Sequence, residues 1–471
     1  MTRVGSLDLG AYARPTRPIG LRAVEIGPDA LDTLPGLLRG AAMAGAGVGV
    51  AVLCDAVPKR REGADVTELV VSLASSAGDV RRVVLGDGSG AVHADDATIS
   101  AACASAAGAS VLVSAGSGTV TDIAKAVAAR LGGPGHVVVQ TALSVNGYAD
   151  DQSVLLVDGV KRTTPTRWPD ALVADTRLLA DAPIGLNLAG VGDLLAMFTA
   201  PADWRLAHLL GMDDRYDEGV VEMVRRHGPA LLDAAPRLAE RDTGAIALVA
   251  ELLTSSGIGM GVAGTTAPAS GAEHTVSHLV EMAQTRQGLP TAYHGAQVGV
   301  AAVLSALVWR HVGERARAGE LRLLCPSEEE MRPAVRRAFG DLDESGAMAE
   351  ECWRDYRRKL SRWRARRSGP ARSGATPSGP AHLDPAHLHD ASRWLAGPEE
   401  LVDALRRSGA PARFCELDPP VDAGLARWAL ANCHLMRERF TVVDLACFLG
   451  AWGPSDVDEV LVAAGAIGAG L

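Results

Sequence analysis

The chain has no surplus of positive charge, no cysteine pairs and no unbroken apolar run of membrane-spanning length, and each absence removes a class of function. A net charge of −10 argues against general nucleic-acid binding, which needs clustered Lys and Arg against the phosphate backbone. An anionic small molecule would therefore have to be held by a locally basic pocket. The seven cysteines, Cys54, Cys103, Cys325, Cys352, Cys415, Cys433 and Cys447, are odd in number and never spaced Cys-x-x-Cys. That pattern fits reduced thiols better than a disulfide framework or a structural zinc site. No window reaches the ~18 apolar residues of a membrane span, and Met1-Thr2-Arg3-Val4-Gly5 opens no apolar leader, so a cytoplasmic protein without a membrane segment is expected. There is no internal repeat, no Gly-x-Gly-x-x-Gly fingerprint and no phosphate loop ending in Gly-Lys-Ser/Thr.

What is present points to an ordinary globular protein, with 48% hydrophobic and 22% charged residues. At 471 residues the chain exceeds the size of most single cores, so two domains are expected. The first, residues 1–178, reads as an α/β nucleotide-binding domain with a parallel sheet. Gly47–Asp55, Val83–Leu85, Ser110–Ser114 and Val137–Thr141 have the length and apolarity of strands buried on both faces. Asp55 stands at the C-terminal end of one of them, where an acid can take the ribose hydroxyls of NAD; Lys59 and Arg60 close behind would suit the 2′-phosphate of NADP. Gly116-Ser117-Gly118 joins a strand to an Ala-rich helix, and its glycines would let a pyrophosphate approach the helix N-terminus. Thr141, Ser144 and Asn146 follow the next strand, on the ligand-facing rim of such a sheet. Val154–Val157, Asp158-Gly159 and Lys161 read as a hairpin.

From Asp175 the pattern turns helical, giving an all-α second domain over 179–471. A Ser-, Gly-, Pro- and Arg-rich stretch within about 366–392 reads as a solvated insertion. Residues 20–62 read as poor in strands before Gly47. The domain contains three of the twelve histidines close together, His274, His278 and His294. His274 and His278 are spaced i, i+4, so a helix would project both from one face, close enough to share a metal ion or a substrate. Gly190-Val191-Gly192-Asp193 lies upstream as a separate acidic motif.

The order of these motifs resembles the sn-glycerol-1-phosphate dehydrogenase family, within the group of dehydroquinate synthase-like and iron-containing alcohol dehydrogenases. The resemblance rests on Gly-Ser-Gly-Thr at 116–119, Gly-x-Gly-Asp-Leu-Leu at 190–195, Glu-His-x-x-x-His at 273–278, His-Gly-x-Gln-Val-Gly at 294–299 and Arg-Glu-Arg-Phe-Thr at 437–441. It implies a dehydroquinate synthase-like fold with the active site between the domains. It implies one divalent metal ion, Zn²⁺ first and Ni²⁺ or Fe²⁺ as alternatives, held by Asp193, His274 and His294. His278 would handle a proton beside the substrate. Gly116, Ser117, Gly118 and Asp122 would line the pyrophosphate of NAD(H) or NADP(H), with Thr141 and Ser144 nearer the nicotinamide. The implied chemistry is hydride transfer between the cofactor and a small ketone, dihydroxyacetone phosphate in the family. The implied assembly is a homodimer or larger, with a small-molecule substrate, no nucleic acid and no membrane.

Departures from the family pattern fall where the substrate is expected. Asn146 stands where an aspartate is usual, Met197 where a lysine is usual and Ala296 where a glutamate is usual, while Ala149-Asp150-Asp151 replaces a small, hydroxyl-rich stretch. Carboxylates facing a phosphate repel it, so the expectation is kept redox chemistry with a substrate diverged from dihydroxyacetone phosphate. The alternatives are a dehydroquinate synthase-like cyclase or lyase that recycles its nicotinamide, and a silent cofactor-binding relative. The cyclase would need basic residues around a phosphate leaving group, and no Lys/Arg cluster stands beside the metal motifs in the sequence.

Overall fold

The computed structural model describes residues 5–471, except 7, 13–16, 43–48, 87–91, 158, 227 and 369–384. The strands, in chain order, are β1 (Gly5–Ser6), β2 (Ala23–Gly27), β3 (Gly49–Cys54), β4 (Arg60–Arg61), β5 (Ala64–Asp65), β6 (Asp79–Val84), β7 (Val111–Gly116), β8 (Gly135–Gln140), β9 (Gln152–Val157), β10 (Val160–Pro165) and β11 (Ala171–Asp175). Seven form one sheet in the order β1-β2-β11-β8-β7-β3-β6, and all its pairings are parallel except the edge pair β1–β2. β9 and β10 form the expected hairpin, with Val157 opposite Val160; Asp158 of its turn lies outside the described residues.

The apolar runs become central strands because both faces are covered. Val50, Val52, Val111, Val113, Val137 and Val139 pack on the helices Leu34–Ala41 and Val66–Ser75. Ala51, Leu53 and Leu112 point the other way, onto Asp96–Ala106 and Gly118–Leu131. Each fully buried Val or Leu contributes about 1.5–3 kcal/mol relative to exposure. β3 connects outward to β6, and the chain then returns to β7 on the other side of β3. This reversal opens a crevice at the C-terminal ends of β3 and β7, where Asp55 and Gly116 lie.

Two sequence expectations need correction. The entry segment is not poor in strands: β2 pairs with β11 in the parallel sheet, its apolar pattern interrupted by Glu25. Part of the supposed insertion is ordered, since Pro385–Ser392 is a helix and Arg205 binds Asp390 at 2.6 Å; residues 369–384 lie outside the described set.

Asp175 caps the first helix after the sheet, accepting from the backbone of Arg177 and Leu178. Beyond it every regular element among the described residues is a helix, apart from one isolated bridge between Arg413 and Gly470. Three stretches here, Ile184–Leu209, Thr243–Ala263 and His294–Ala318, are long and apolar enough to cross a membrane, contrary to the sequence expectation. Their apolar windows are 83%, 83% and 94% buried inside the molecule. A helix apolar all round suits such a buried position. Ile184–Leu194 and His294–Ala318 cross at bare backbone: a Cβ on Gly192 would lie 2.2 Å from the carbonyl oxygen of Gly295.

Candidate metal and cofactor site

That crossing brings the ligand candidates together. Asp193 ends the helix Ile184–Leu194, His294 opens His294–Ala318, and His274 lies in the first turn of Ala272–Arg286. One potential ligand atom from each lies within 4.8 Å of the others. The Nε2 atoms of His274 and His294 are 3.3 and 3.9 Å from Asp193 Oδ1. Asp193 Oδ1 is buried without a hydrogen-bond partner, whereas Oδ2 accepts from the backbone N–H of Asn146 at 2.8 Å.

Both imidazoles are oriented from behind. Glu273 Oε1 lies 3.0 Å from His274 Nδ1. Ser277 Oγ and Glu281 Oε2 lie 3.2 and 3.3 Å from His294 Nδ1. Carboxylates on the Nδ1 side fix the tautomer that presents Nε2, the outer-shell pattern of metal-binding histidines. Despite the cost of burial, the Asp193 and Glu273 carboxylates raise the His274 pKa, so the site favours positive charge. An orphaned carboxylate oxygen facing two presented Nε2 atoms fits a divalent cation with coordination positions to spare. His278, Glu281 and His294 form an overlapping group of equal proximity, but Lys161 Nζ holds Glu281 Oε2 at 2.6 Å. Burial works against that carboxylate's charge, yet Lys161 and His294 hold its pKa down, to about 2.

His278 follows His274 on the same helix face, its ring stacked 5.0 Å from that of His294. Its Nδ1 accepts from Arg437 Nη2 at 2.6 Å. Burial and the Arg437 charge hold His278 well below the usual imidazole pKa, so the ring is neutral with its proton on Nε2. The structure thus brings to the histidines two basic residues that lie far from them in sequence. Lys161 arrives on β10, and Arg437 comes from beyond the helix Ala423–Asn432.

In the α/β half, Gly116-Ser117-Gly118 runs from β7 into a helix whose N-terminus has no side-chain cap. The Thr141 backbone N–H donates to the Gly116 carbonyl at 3.2 Å, joining the two cofactor-side segments. Asp55 Oδ1 receives Lys59 Nζ at 2.6 Å and the Val57 N–H at 2.8 Å, so the acid and the cation of this rim are already paired.

Several expected ligand contacts are committed elsewhere. The Asp122 carboxylate pairs with buried Lys125 at 3.3 Å instead of standing free for a pyrophosphate. Ser144 Oγ is bonded to Tyr148 Oη at 2.8 Å. Asn146 acts through its backbone on Asp193, while its side-chain amide donates to Ser256 Oγ at 3.2 Å. Met197 is buried in the apolar core, close to Gly228. Asp150 takes Lys125 Nζ at 2.6 Å and Asp151 takes Arg17 at 2.5 Å, so neither carboxylate is free to repel a phosphate as the sequence suggested. Lys125 also donates to the carbonyls of Gly147 and Gln152, which clamps the cofactor-side helix to the loop that orients Asp193.

The sequence matches the iron-containing alcohol dehydrogenase family over residues 25–183. It is 29% identical over 426 residues to a glycerol-1-phosphate dehydrogenase [NAD(P)+] of Bacillus licheniformis, covering 90% of this chain and 88% of the relative. A glycerol-1-phosphate dehydrogenase [NAD(P)+] of Haloquadratum walsbyi is 37% identical over 219 residues, 46% of this chain and 61% of the relative. The fold is similar to a probable glycerol dehydrogenase from Sinorhizobium meliloti, with TM-score 0.58, 17% identity and coverage of 96% and 98% of the two chains. It is also similar to a maleylacetate reductase from Agrobacterium tumefaciens, with TM-score 0.54, 16% identity and 98% coverage of both. The chain is thus similar, through residues 25–183 in sequence and through most of its length in fold, to oxidoreductases of the iron-containing alcohol dehydrogenase group acting on CH–OH groups.

Proposed function

We propose that this chain is a metal- and NAD(P)-dependent oxidoreductase of the glycerol-1-phosphate dehydrogenase type, interconverting a small ketone and its alcohol at the Asp193, His274 and His294 site. The observation that carries the reading is the unpartnered, buried Asp193 Oδ1 facing two histidines whose Nδ1 atoms are held by carboxylates. A divalent ion bound there would polarise the carbonyl, and NAD(P)H would supply the hydride. The chain's own residues orient and exclude. Glu273 and Glu281 fix the ligand imidazoles, and the Asn146 N–H fixes Asp193. His278 holds a proton on Nε2, available to the nascent alkoxide, while Arg437 keeps the ring in that tautomer. Gly116-Ser117-Gly118 and the following helix N-terminus suit the pyrophosphate.

Support for the glycerol-1-phosphate type comes from the two relatives of that name and from the pairing of Asp150 with Lys125 and of Asp151 with Arg17. Dihydroxyacetone phosphate is therefore the first substrate to test. Purified protein loaded in turn with Zn²⁺, Ni²⁺ and Fe²⁺ is mixed with this ketone and NADH or NADPH, and the absorbance of the reduced nicotinamide is followed. Steady consumption that stops on chelation is the expected result. Absence of consumption with dihydroxyacetone phosphate and with a panel of small ketones, under all three metals, overturns the reading.

A further inference from the structure

His294 belongs to two potential ligand sets at once. With Asp193 and His274 it forms the proposed metal site, and with His278 and Glu281 it forms a second group whose donor atoms also lie within 4.8 Å of one another. The two sets use opposite edges of the ring. Nε2 is turned to Asp193 Oδ1 at 3.9 Å, whereas Nδ1 is turned to Glu281 Oε2 at 3.3 Å. Two imidazoles and a carboxylate suit a divalent transition ion in either place, so donor chemistry alone does not choose between them.

Charge distinguishes the two. In the first set Asp193 Oδ1 is buried without a hydrogen-bond partner. In the second, cations already stand on two of the three members. Lys161 Nζ lies 2.6 Å from Glu281 Oε2, the same oxygen that faces His294. Arg437 Nη2 donates to His278 Nδ1 at 2.6 Å, which leaves the proton of that ring on Nε2 and no lone pair for a metal. A metal–oxygen bond of about 2.1 Å to Glu281 would hold a dication within about 5 Å of the Lys161 ammonium. Glu281 is only 5% exposed, so water does little to screen that repulsion.

Given the metal-dependent reading above, we infer that Lys161 and Arg437 close the His278, Glu281 and His294 set to metal and so direct the ion to Asp193, His274 and His294. An ion in the first set leaves His278 unligated, with a proton on Nε2 to give. In the second set the same ring would become a ligand and that proton donor would be lost. The two guarding residues arrive together, since Arg437 Nη2 also donates to the Lys161 carbonyl at 3.4 Å.

Cobalt(II) titration of the purified full chain, followed by visible absorption, counts bound ions and reports on their ligands. Asp193→Ala, with both cations in place, should bind no cobalt saturably. Asp193→Ala/Lys161→Met/Arg437→Gln should bind one ion per chain, a gain that a merely structural role of the two cations would not produce. Returning lysine to position 161 of that variant, or placing arginine there, should weaken the binding by about tenfold or more. Circular dichroism establishes that each variant is folded. A folded triple variant that binds no cobalt, or an Asp193→Ala chain that binds it as tightly as the triple variant, overturns the proposal. Where the triple variant does not fold, the cobalt spectra of wild type, Lys161→Met and Lys161→Arg are compared. A spectrum changed by methionine and kept by arginine supports the proposal, and three identical spectra overturn it. A wild-type chain that takes up no cobalt overturns the metal-dependent reading instead, so the two fail separately.

Discussion

Gly192→Ala tests whether the metal-ligand geometry depends on the bare helix crossing. The added Cβ would sit 2.2 Å from Gly295 O and 3.3 Å from Gly299 Cα. Both neighbours are backbone and cannot rotate away. An ordinary carbon–oxygen contact is about 3.3 Å or longer, so the two helices must separate by roughly 1 Å. Asp193 follows Gly192 directly and His294 precedes Gly295, so the displacement falls on two of the three proposed ligands. Metal sites tolerate about 0.2 Å in ligand distances, several times less than the required shift. The expected result is metal affinity lower by about 10²-fold, the scale of a 1 Å misplacement in a preorganised site. Overpacking should cost a further ~1–3 kcal/mol of stability. The assay is competition against a chromogenic chelator on protein shown to be folded by circular dichroism. Gly465→Ala is the matched control: it lies in the helix Pro454–Ala466 with nothing within 4 Å of its added Cβ. It should leave metal binding untouched and stabilise by up to ~1 kcal/mol through helix propensity. A folded Gly192→Ala protein that binds metal within about threefold of wild type would refute the argument, since ligand displacement of this size cannot be that cheap.

Glu281→Gln removes the charged partner of His294 and strands Lys161, so metal affinity should fall about 10–100-fold, read by the same competition. Lys125→Met leaves Asp122 and Asp150 buried without their cation and should cost about 3–5 kcal/mol in denaturant unfolding; a loss below ~1 kcal/mol would show that the clamp is dispensable. Metal at about 100 times its Kd should stabilise the folded chain by about 2.7 kcal/mol over the chelator-treated protein, seen as a raised Tm; an Asp193→Ala chain should show no such rise. Lys59→Ala frees the Asp55 carboxylate for ribose hydroxyls and removes a cation available to a 2′-phosphate, so kcat/KM should shift by about tenfold toward NADH over NADPH; an unchanged ratio would place cofactor choice elsewhere.

The fold was legible wherever burial was two-sided. The runs at Val50, Val111 and Val137 carry their own signature, because a strand covered on both faces is apolar at every position. β2 was missed because Glu25 breaks that run near the edge of the sheet. The site was legible to the extent that its residues lie close in sequence. His274 and His278 share a helix face, and Glu281 continues it one turn further, a helical spacing that could have pointed to Glu281 as a partner. Arg437 and Lys161 carry no such signal: their place beside His278 is set by the packing of β10 and the C-terminal segment against one helix. Nor does sequence show that an acid is spent on a neighbour, which is why Asp122, Asp150 and Asp151 looked like ligand-facing groups.

The inference of a drifted substrate rested on two gained acids and on the replacements at Asn146, Met197 and Ala296. The acids drop out, since Lys125 and Arg17 hold them. Asn146 drops to a positioning role, because its backbone N–H holds Asp193 whatever the side chain, and its amide is taken by Ser256. What remains is the loss of a lysine at Met197, whose side chain is now in the apolar core, and of a glutamate at Ala296, also buried. A charge lost there can be offset only by a cation arriving from another element. Arg437, which donates to His278 Nδ1 and has no carboxylate within ion-pair distance among the described residues, is a cation of that kind. The two acids that made a phosphorylated substrate look excluded are therefore paired within the chain, and they no longer argue against one.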